Sequence, residues 1–244
     1  MSGTELIVSE IFGPTIQGEG PYTGRRAFFL RLGICNLKCT WCDTKYTWDW
    51  KNYDYKEELK RMSCEQINDK LSDLGAFSNP GLIVISGGEP MLQRHKLVEL
   101  LTDWTFAYAP PIVQMETAGT VSPSDLGNYF PANYFVVSPK LNNSGNDLSK
   151  SIKPEIISEF NELALMDMAC FKFVVAADKD VNEVLDFTEK FSISPCDVWL
   201  MPNTKKLTKD FSMMDYSTAE RAIKYGFNYS DRLHVRIWGG DRGK

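Results

Sequence analysis

Short apolar runs rich in β-branched and aromatic residues alternate along the chain with longer stretches whose apolar positions recur every three or four residues. AFFLRL (27–32), LIVIS (82–86), IVQME (112–116), YFVVS (134–138), FKFVV (171–175), VWLM (198–201) and HVRIW (234–238) read as strands. Segments near 63–75, 93–106, 154–168, 180–190 and 216–226 carry helical spacing, and Ser63 with Gln66 makes a capping-box pattern for the first. No internal repeat or low-complexity tract interrupts the alternation. Strand-helix alternation of this kind gives parallel strands joined by crossovers, in either a doubly wound sheet or a complete or partial barrel. The pattern by itself does not separate the two.

Five unusual stretches follow predicted strands: CNLKCTWCDT (35–44), GGEP (87–90), ETAGT (116–120), SPK (138–140) and MPNT (201–204). In a parallel α/β protein the loops at the carboxyl ends of strands share one face, so these stretches are expected to converge. Within AFFLRL, Ala27, Phe29 and Arg31 share one face while Phe28, Leu30 and Leu32 share the other. A cation on an inner face calls for an anion, so Arg31 meets a substrate carboxylate or, equally, makes a structural ion pair or sits at the surface.

With 244 residues and 43% hydrophobic content, the chain can bury a full core; one domain is favoured over two small ones. A formal charge of -5 argues against a broad electrostatic grip on nucleic acid or an anionic membrane. No apolar run approaches a membrane span and MSGTELIVSE lacks a signal-peptide pattern, so a soluble, cytoplasmic protein is expected. Of six cysteines, Cys64, Cys170 and Cys196 are scattered and read as small core residues.

Cys35, Cys39 and Cys42 form a tight group whose spacing lets three sulfurs turn inward together. A structural zinc site would need a fourth ligand from a distant Cys64, Cys170, Cys196, His95 or His234. Three buried thiols without metal sit poorly with the polar Asn36, Lys38, Thr40 and Asp43 around them. A redox dithiol of Cys39 and Cys42 leaves Cys35 unused. An iron-sulfur cluster with three cysteine-bound irons and one open iron uses all three, and the open iron can bind a reactant. His95 and His234 lack the spacing of a metal pair and read as structural. Gln17 and Gly18 lie in a glycine-flanked loop that can approach a flat heterocycle, with Glu19 as an acceptor for an amino-pyrimidine edge; an ordinary glycine turn is the plainer reading.

CNLKCTWC, with Trp41 before the last cysteine, resembles the cysteine signature of the radical S-adenosylmethionine enzymes, and GGEP resembles their second signature. More narrowly, EIFGPTIQGEGPYTGRRAFFLRLGICNLKCTWCDTKYTW, ETAGT, VSPK and the ending HVRIWGGDRGK are similar to the 7-carboxy-7-deazaguanine synthases. The resemblance implies a partial (β/α) TIM-type barrel forming a single radical S-adenosylmethionine domain over 1–244, with a core of about 26–238, a substrate loop at 13–24 and a tail at 239–244. It implies a 4Fe-4S cluster on Cys35, Cys39 and Cys42, and Mg2+ at Thr44, which alone would be a turn or cap residue. S-adenosylmethionine would meet Trp41, Cys42, Asp43, Gly87, Gly88, Glu89, Gly119, Ser138, Pro139, Lys140, Met201 and Thr204, although Met201 departs from the glutamine-proline stretch of many relatives. Substrate would meet Ile16, Gln17, Gly18, Glu19, Arg31, Thr117 and Lys244. The implied reaction is conversion of 6-carboxy-5,6,7,8-tetrahydropterin to 7-carboxy-7-deazaguanine by hydrogen abstraction, ring contraction and ammonia loss. The implied partners are an electron donor such as flavodoxin or ferredoxin and a second copy of the chain as a homodimer. A glycyl-radical activase, which shares the cysteine spacing, and a non-catalytic zinc module remain as alternatives.

Overall fold

The computed structural model describes residues 5–77, 81–106, 110–125, 128–203 and 211–244. Its strands are β1 (Glu5–Ile16), β2 (Arg26–Leu32), β3 (Lys60–Ser63), β4 (Leu82–Gly87), β5 (Ile112–Thr117), β6 (Ser124–Asp125), β7 (Asn128–Tyr129), β8 (Tyr134–Val137), β9 (Ala169–Val175), β10 (Val198–Pro202) and β11 (Asn228–Tyr229). The helices are α1 (Tyr55–Glu58), α2 (Cys64–Asp73), α3 (Arg94–Thr105), α4 (Leu148–Ser151), α5 (Pro154–Ala164), α6 (Asp178–Phe191), α7 (Phe211–Tyr225) and α8 (Leu233–Trp238). The capping box at the start of α2 is present, with Ser63 Oγ and the Gln66 side chain each accepting from the other's backbone N–H.

Among the described residues, nine strands make one sheet in the order β11-β10-β9-β8-β5-β4-β2-β1-β3, and β6 pairs with β7 in a second, two-stranded sheet. From β2 to β11 every neighbouring pair is parallel. β1 pairs antiparallel with both β2 and β3. The parallel strands follow one another in chain order without reversal. Right-handed crossovers therefore place the helices on one face, and the sheet is an unclosed, partial barrel instead of a doubly wound one.

Period-two alternation divides each strand between two environments. Phe28, Leu30 and Leu32 of β2, Ile83 and Ile85 of β4, Phe135 and Val137 of β8, and Phe171, Phe173 and Val175 of β9 join one core. Leu97 and Leu101 of α3, Ile157 and Phe160 of α5, and Val184 and Phe187 of α6 complete that core. The opposite face carries Phe29, Arg31, Ser86, Glu116, Ser138, Lys172 and Met201, all lining a single cavity. Polar residues interrupting buried parallel strands thus mark the inner wall.

Three expectations are corrected, and one strand was not foreseen. HVRIW is α8, not a strand: five residues of mixed polarity fit either period, and hydrogen bonds from Val235 and Arg236 N to Arg232 O wind the segment into a helix. The 154–168 helix stops at Ala164, beyond which Asp167 adopts φ 58° in a turn. Cys196 is exposed in a short 3-10 turn instead of lying in the core, whereas Cys170 is buried and Cys64 half-buried. β1 has no counterpart in the sequence reading, because only Leu6 and Val8 along its twelve residues are buried.

Candidate active site

The cysteine loop leaves the carboxyl end of β2 and turns its three sulfurs into an apolar nest with Leu37, Trp41 and Ala118. Each sulfur faces an N–H group: Leu37 N lies 3.4 Å from Cys35 Sγ, Asn146 Nδ2 3.1 Å from Cys39 Sγ, and Trp48 Nε1 3.4 Å from Cys42 Sγ. Burial pushes the Cys35 thiol up to about 12, and burial likewise raises Cys39. Bare, these two thiols resist ionisation; bound iron would reverse that preference, and the N–H donors would then stabilise the thiolates. Among the described residues, no three His, Cys, Asp or Glu side chains are gathered closely enough to share a single ion. Three cysteines with no fourth protein ligand beside them in the described residues match a cluster with one open iron better than a closed tetrahedral zinc site.

GGEP explains itself by contact. Gly87 has φ +134°, and a Cβ there would collide with the Leu32 carbonyl; a Cβ on Gly88 would collide with the Ile34 carbonyl. The two glycines let the end of β4 lie directly against the start of the cysteine loop. Glu89 is fully buried behind the cavity wall: its carboxylate accepts from Met91 N at 3.1 Å, Thr117 Oγ1 at 2.8 Å and Ala118 N at 2.7 Å. Burial raises its pKa, opposed by those bonds. Glu89 thus ties the GGEP turn to ETAGT, and it is not among the residues that line the cavity.

The QGEG loop is gripped by groups far away in the chain. Glu19 receives Lys172 Nζ at 2.5 Å and Arg232 Nε at 3.0 Å, with His234 Nε2 at 3.8 Å. Burial alone would raise its pKa, but these neighbours hold it well below the carboxylate range. Arg232 also reaches Asp43 at 2.5 Å, joining this loop to the cysteine loop. Leu233 N donates to Gly18 O at 2.9 Å, and a Cβ on Gly18 would strike the His234 ring. Gln17 Nε2 donates to Glu116 Oε1 at 3.1 Å. His234, expected to be a structural residue opening a strand, lines the cavity from α8.

Arg31 pairs with Glu10 at 3.0 Å while also lining the cavity. Glu10 accepts in addition from Tyr46 Oη at 3.2 Å and from Arg242. Arg242 further pairs with Glu58 at 2.7 Å and stacks over the Tyr46 ring at 3.8 Å, which brings the tail to the cavity mouth, where Lys244 is a lining residue.

The cavity gathers Ile16, Gln17, Gly18, Glu19, Arg31, Cys35, Cys39, Trp41, Cys42, Asp43, Thr44, Gly87, Gly88, Thr117, Ser138, Lys140, Met201 and Lys244 from the sequence expectations. Glu89, Gly119 and Pro139 are buried in its walls, and Thr204 lies outside the described residues. Thr44 Oγ1 lies 3.6 Å from Cys42 Sγ and 3.5 Å from Gly87 O. Lys140 donates to Ser138 Oγ at 2.7 Å and lies 5.5 Å over the Trp41 ring; burial lowers its pKa. Lys172 and Arg232 line the cavity without having been singled out, and Glu116, Asn203 and His234 line it without having been assigned a ligand contact. For Lys172 and Glu116 the available signal was a charge on the inner face of a buried strand.

A family model for the radical SAM superfamily matches residues 31–160. The 7-carboxy-7-deazaguanine synthase of Hyperthermus butylicus is 34% identical over 96% of this chain and 93% of its own. That of Pyrobaculum aerophilum is 34% identical over the full length of both, and that of Bacillus subtilis 29% identical over 97% of each. The chain belongs to the 7-carboxy-7-deazaguanine synthase family of radical SAM enzymes. The crystal structure of QueE from Escherichia coli shares the fold, with a TM-score of 0.68 and 24% identity over 94% of this chain and 95% of that one. As a radical SAM enzyme the chain uses a 4Fe-4S cluster and S-adenosylmethionine, and the family match leaves the glycyl-radical activase and zinc-module alternatives disfavoured. Among the described residues, no helix is long and apolar enough to cross a membrane.

Proposed function

We propose that the protein converts 6-carboxy-5,6,7,8-tetrahydropterin to 7-carboxy-7-deazaguanine. The observation that carries this reading is the single cavity in which the three-cysteine loop faces the ionised Glu19 and the cation Arg31. Cys35, Cys39 and Cys42 would hold the cluster, which, with S-adenosylmethionine, supplies the radical that removes a substrate hydrogen. Lys140, whose ammonium donates to the neutral Ser138 hydroxyl, suits the carboxylate of S-adenosylmethionine, beside Trp41.

Glu19 and Gln17 would read the amino-pyrimidine edge of the pterin, and Arg31 would take its carboxylate. Lys172 and Arg232 keep Glu19 an acceptor and fix its direction. Thr44 would supply one hydroxyl to Mg2+, with substrate oxygens and water completing the shell. The chain would act as one radical SAM domain over 1–244, with core 26–238, loop 13–24 and tail 239–244. It would work in the cytoplasm as a homodimer, with flavodoxin or ferredoxin as reductant.

Anaerobic reconstitution should give a brown protein with about four irons per chain. With S-adenosylmethionine, dithionite, Mg2+ and the tetrahydropterin it should release 7-carboxy-7-deazaguanine. Cleavage of S-adenosylmethionine without any conversion of the pterin would sink the substrate assignment. Thr44→Ala should lose the dependence of turnover on added Mg2+; an unchanged Mg2+ response would move the ion elsewhere.

A further inference from the structure

A segment remote from the signature motifs forms the outer wall of the cysteine loop. Ser144, Gly145 and Asn146 lie between β8 and α4, and Thr40 N donates to Ser144 O at 2.9 Å. Gly145 has φ +75°, and a Cβ there would come within 2.7 Å of Thr40 Cγ2, so the contact is close enough to require glycine. The Asn146 side chain spans the junction: Oδ1 accepts from Lys38 N at 2.8 Å, while Nδ2 donates to Ser144 Oγ at 3.1 Å and to Cys39 Sγ at 3.1 Å. A backbone N–H can only donate, so Lys38 N fixes Oδ1 on its own side and leaves Nδ2 facing the sulfur. Cys35 and Cys42 take their donors from within the same loop region, at Leu37 and Trp48; the Cys39 donor comes from 107 residues away.

We propose that Asn146 is a positioning residue that raises the reduction potential of the cluster by donating Nδ2–H to the Cys39 thiolate. The inference rests on the reading that this loop holds a 4Fe-4S cluster. An N–H donor stabilises a sulfur ligand most when the cluster carries its extra electron, so the bond favours the reduced form. Cleavage of S-adenosylmethionine begins from that form, and Asn146 thereby sets how weak a reductant can drive the enzyme.

The test compares wild type, Asn146→Ala and Asn146→Asp after anaerobic reconstitution, with iron content, EPR-monitored redox titration, and 5'-deoxyadenosine formation driven by flavodoxin or by titanium(III) citrate. Both variants should hold as much iron as wild type and titrate at more negative potential. The shift should be larger for aspartate, which adds a negative charge in nearly the same volume. Their 5'-deoxyadenosine rates should fall several-fold with flavodoxin and recover with the stronger reductant. An iron-replete Asn146→Asp protein with the wild-type potential would overturn the proposal. So would loss of iron from both variants, which would make the residue a purely structural clamp. A wild type that takes up no cluster would overturn the reading of the site itself.

Discussion

Glu19 shows how a single residue can be legible in identity and illegible in state. Its place in a glycine-flanked loop marks it as an acceptor, but its ionisation depends on Lys172 and Arg232, 153 and 213 residues away. The folded-state pKa is depressed, so the ion pair contributes stability above the ordinary value of 4.5, and that contribution fades as pH falls through the lower folded value. Glu19→Gln should cost about 3–5 kcal/mol near pH 7, because the buried Lys172 ammonium loses its charged acceptor and Arg232 loses one of its anions, keeping Asp43. The difference between variant and wild type should shrink steadily below pH 4.5 in urea denaturation. A pH-independent difference would mean that the carboxylate is not the ionised partner. The three cysteines, by contrast, were readable because their spacing is local and few other chemistries use all three.

At the scale of elements, the decisive join is between the QGEG loop and α8. Gly18→Ala would drive a methyl into the His234 ring and break the approach that Leu233 N makes to Gly18 O. Substrate affinity should fall about tenfold or more, equivalent to about 1.4 kcal/mol. Iron content should stay at the wild-type level, since the cysteine loop hangs from β2. Calorimetric titration and iron assay check both halves, and unchanged affinity would separate the loop from substrate. The tail has a comparable side-chain anchor in Arg242. Arg242→Ala removes its pairs with Glu10 and Glu58 and its stacking on Tyr46, so carboxypeptidase should trim residues 239–244 faster than in wild type. Equal trimming rates would show that the anchor does not hold the tail. Glu10 is also the partner of Arg31, so the same variant should raise the substrate KM more than it lowers kcat.

For the whole molecule, the open barrel leaves one apolar face under helices and one polar face around a shared cavity to which strands from β2 to β10 contribute. A ligand seated there touches many strands at once, so its binding should stabilise the fold globally. S-adenosylmethionine at 100 times its Kd should add about 2.7 kcal/mol to the reconstituted protein. For a chain of this size that corresponds to a rise in Tm of roughly 5–10 °C. No rise at saturating ligand would mean that S-adenosylmethionine does not bind the folded chain.

The sequence by itself determined the parallel strand-helix class, most of the helices and strands, the cysteine loop and the glycine step that lies against it. These depend on period, spacing and the absence of a Cβ, all of which act over a few residues. Only the tertiary structure decided that HVRIW is a helix, that Glu89 is sealed in a wall, and that Lys172, Arg232 and His234 surround Glu19. It also brought Asn146 to Cys39. Charge pairing, burial and hydrogen bonding act through space, and the partners of these residues are set by how the strands are ordered in the sheet, which no local pattern records.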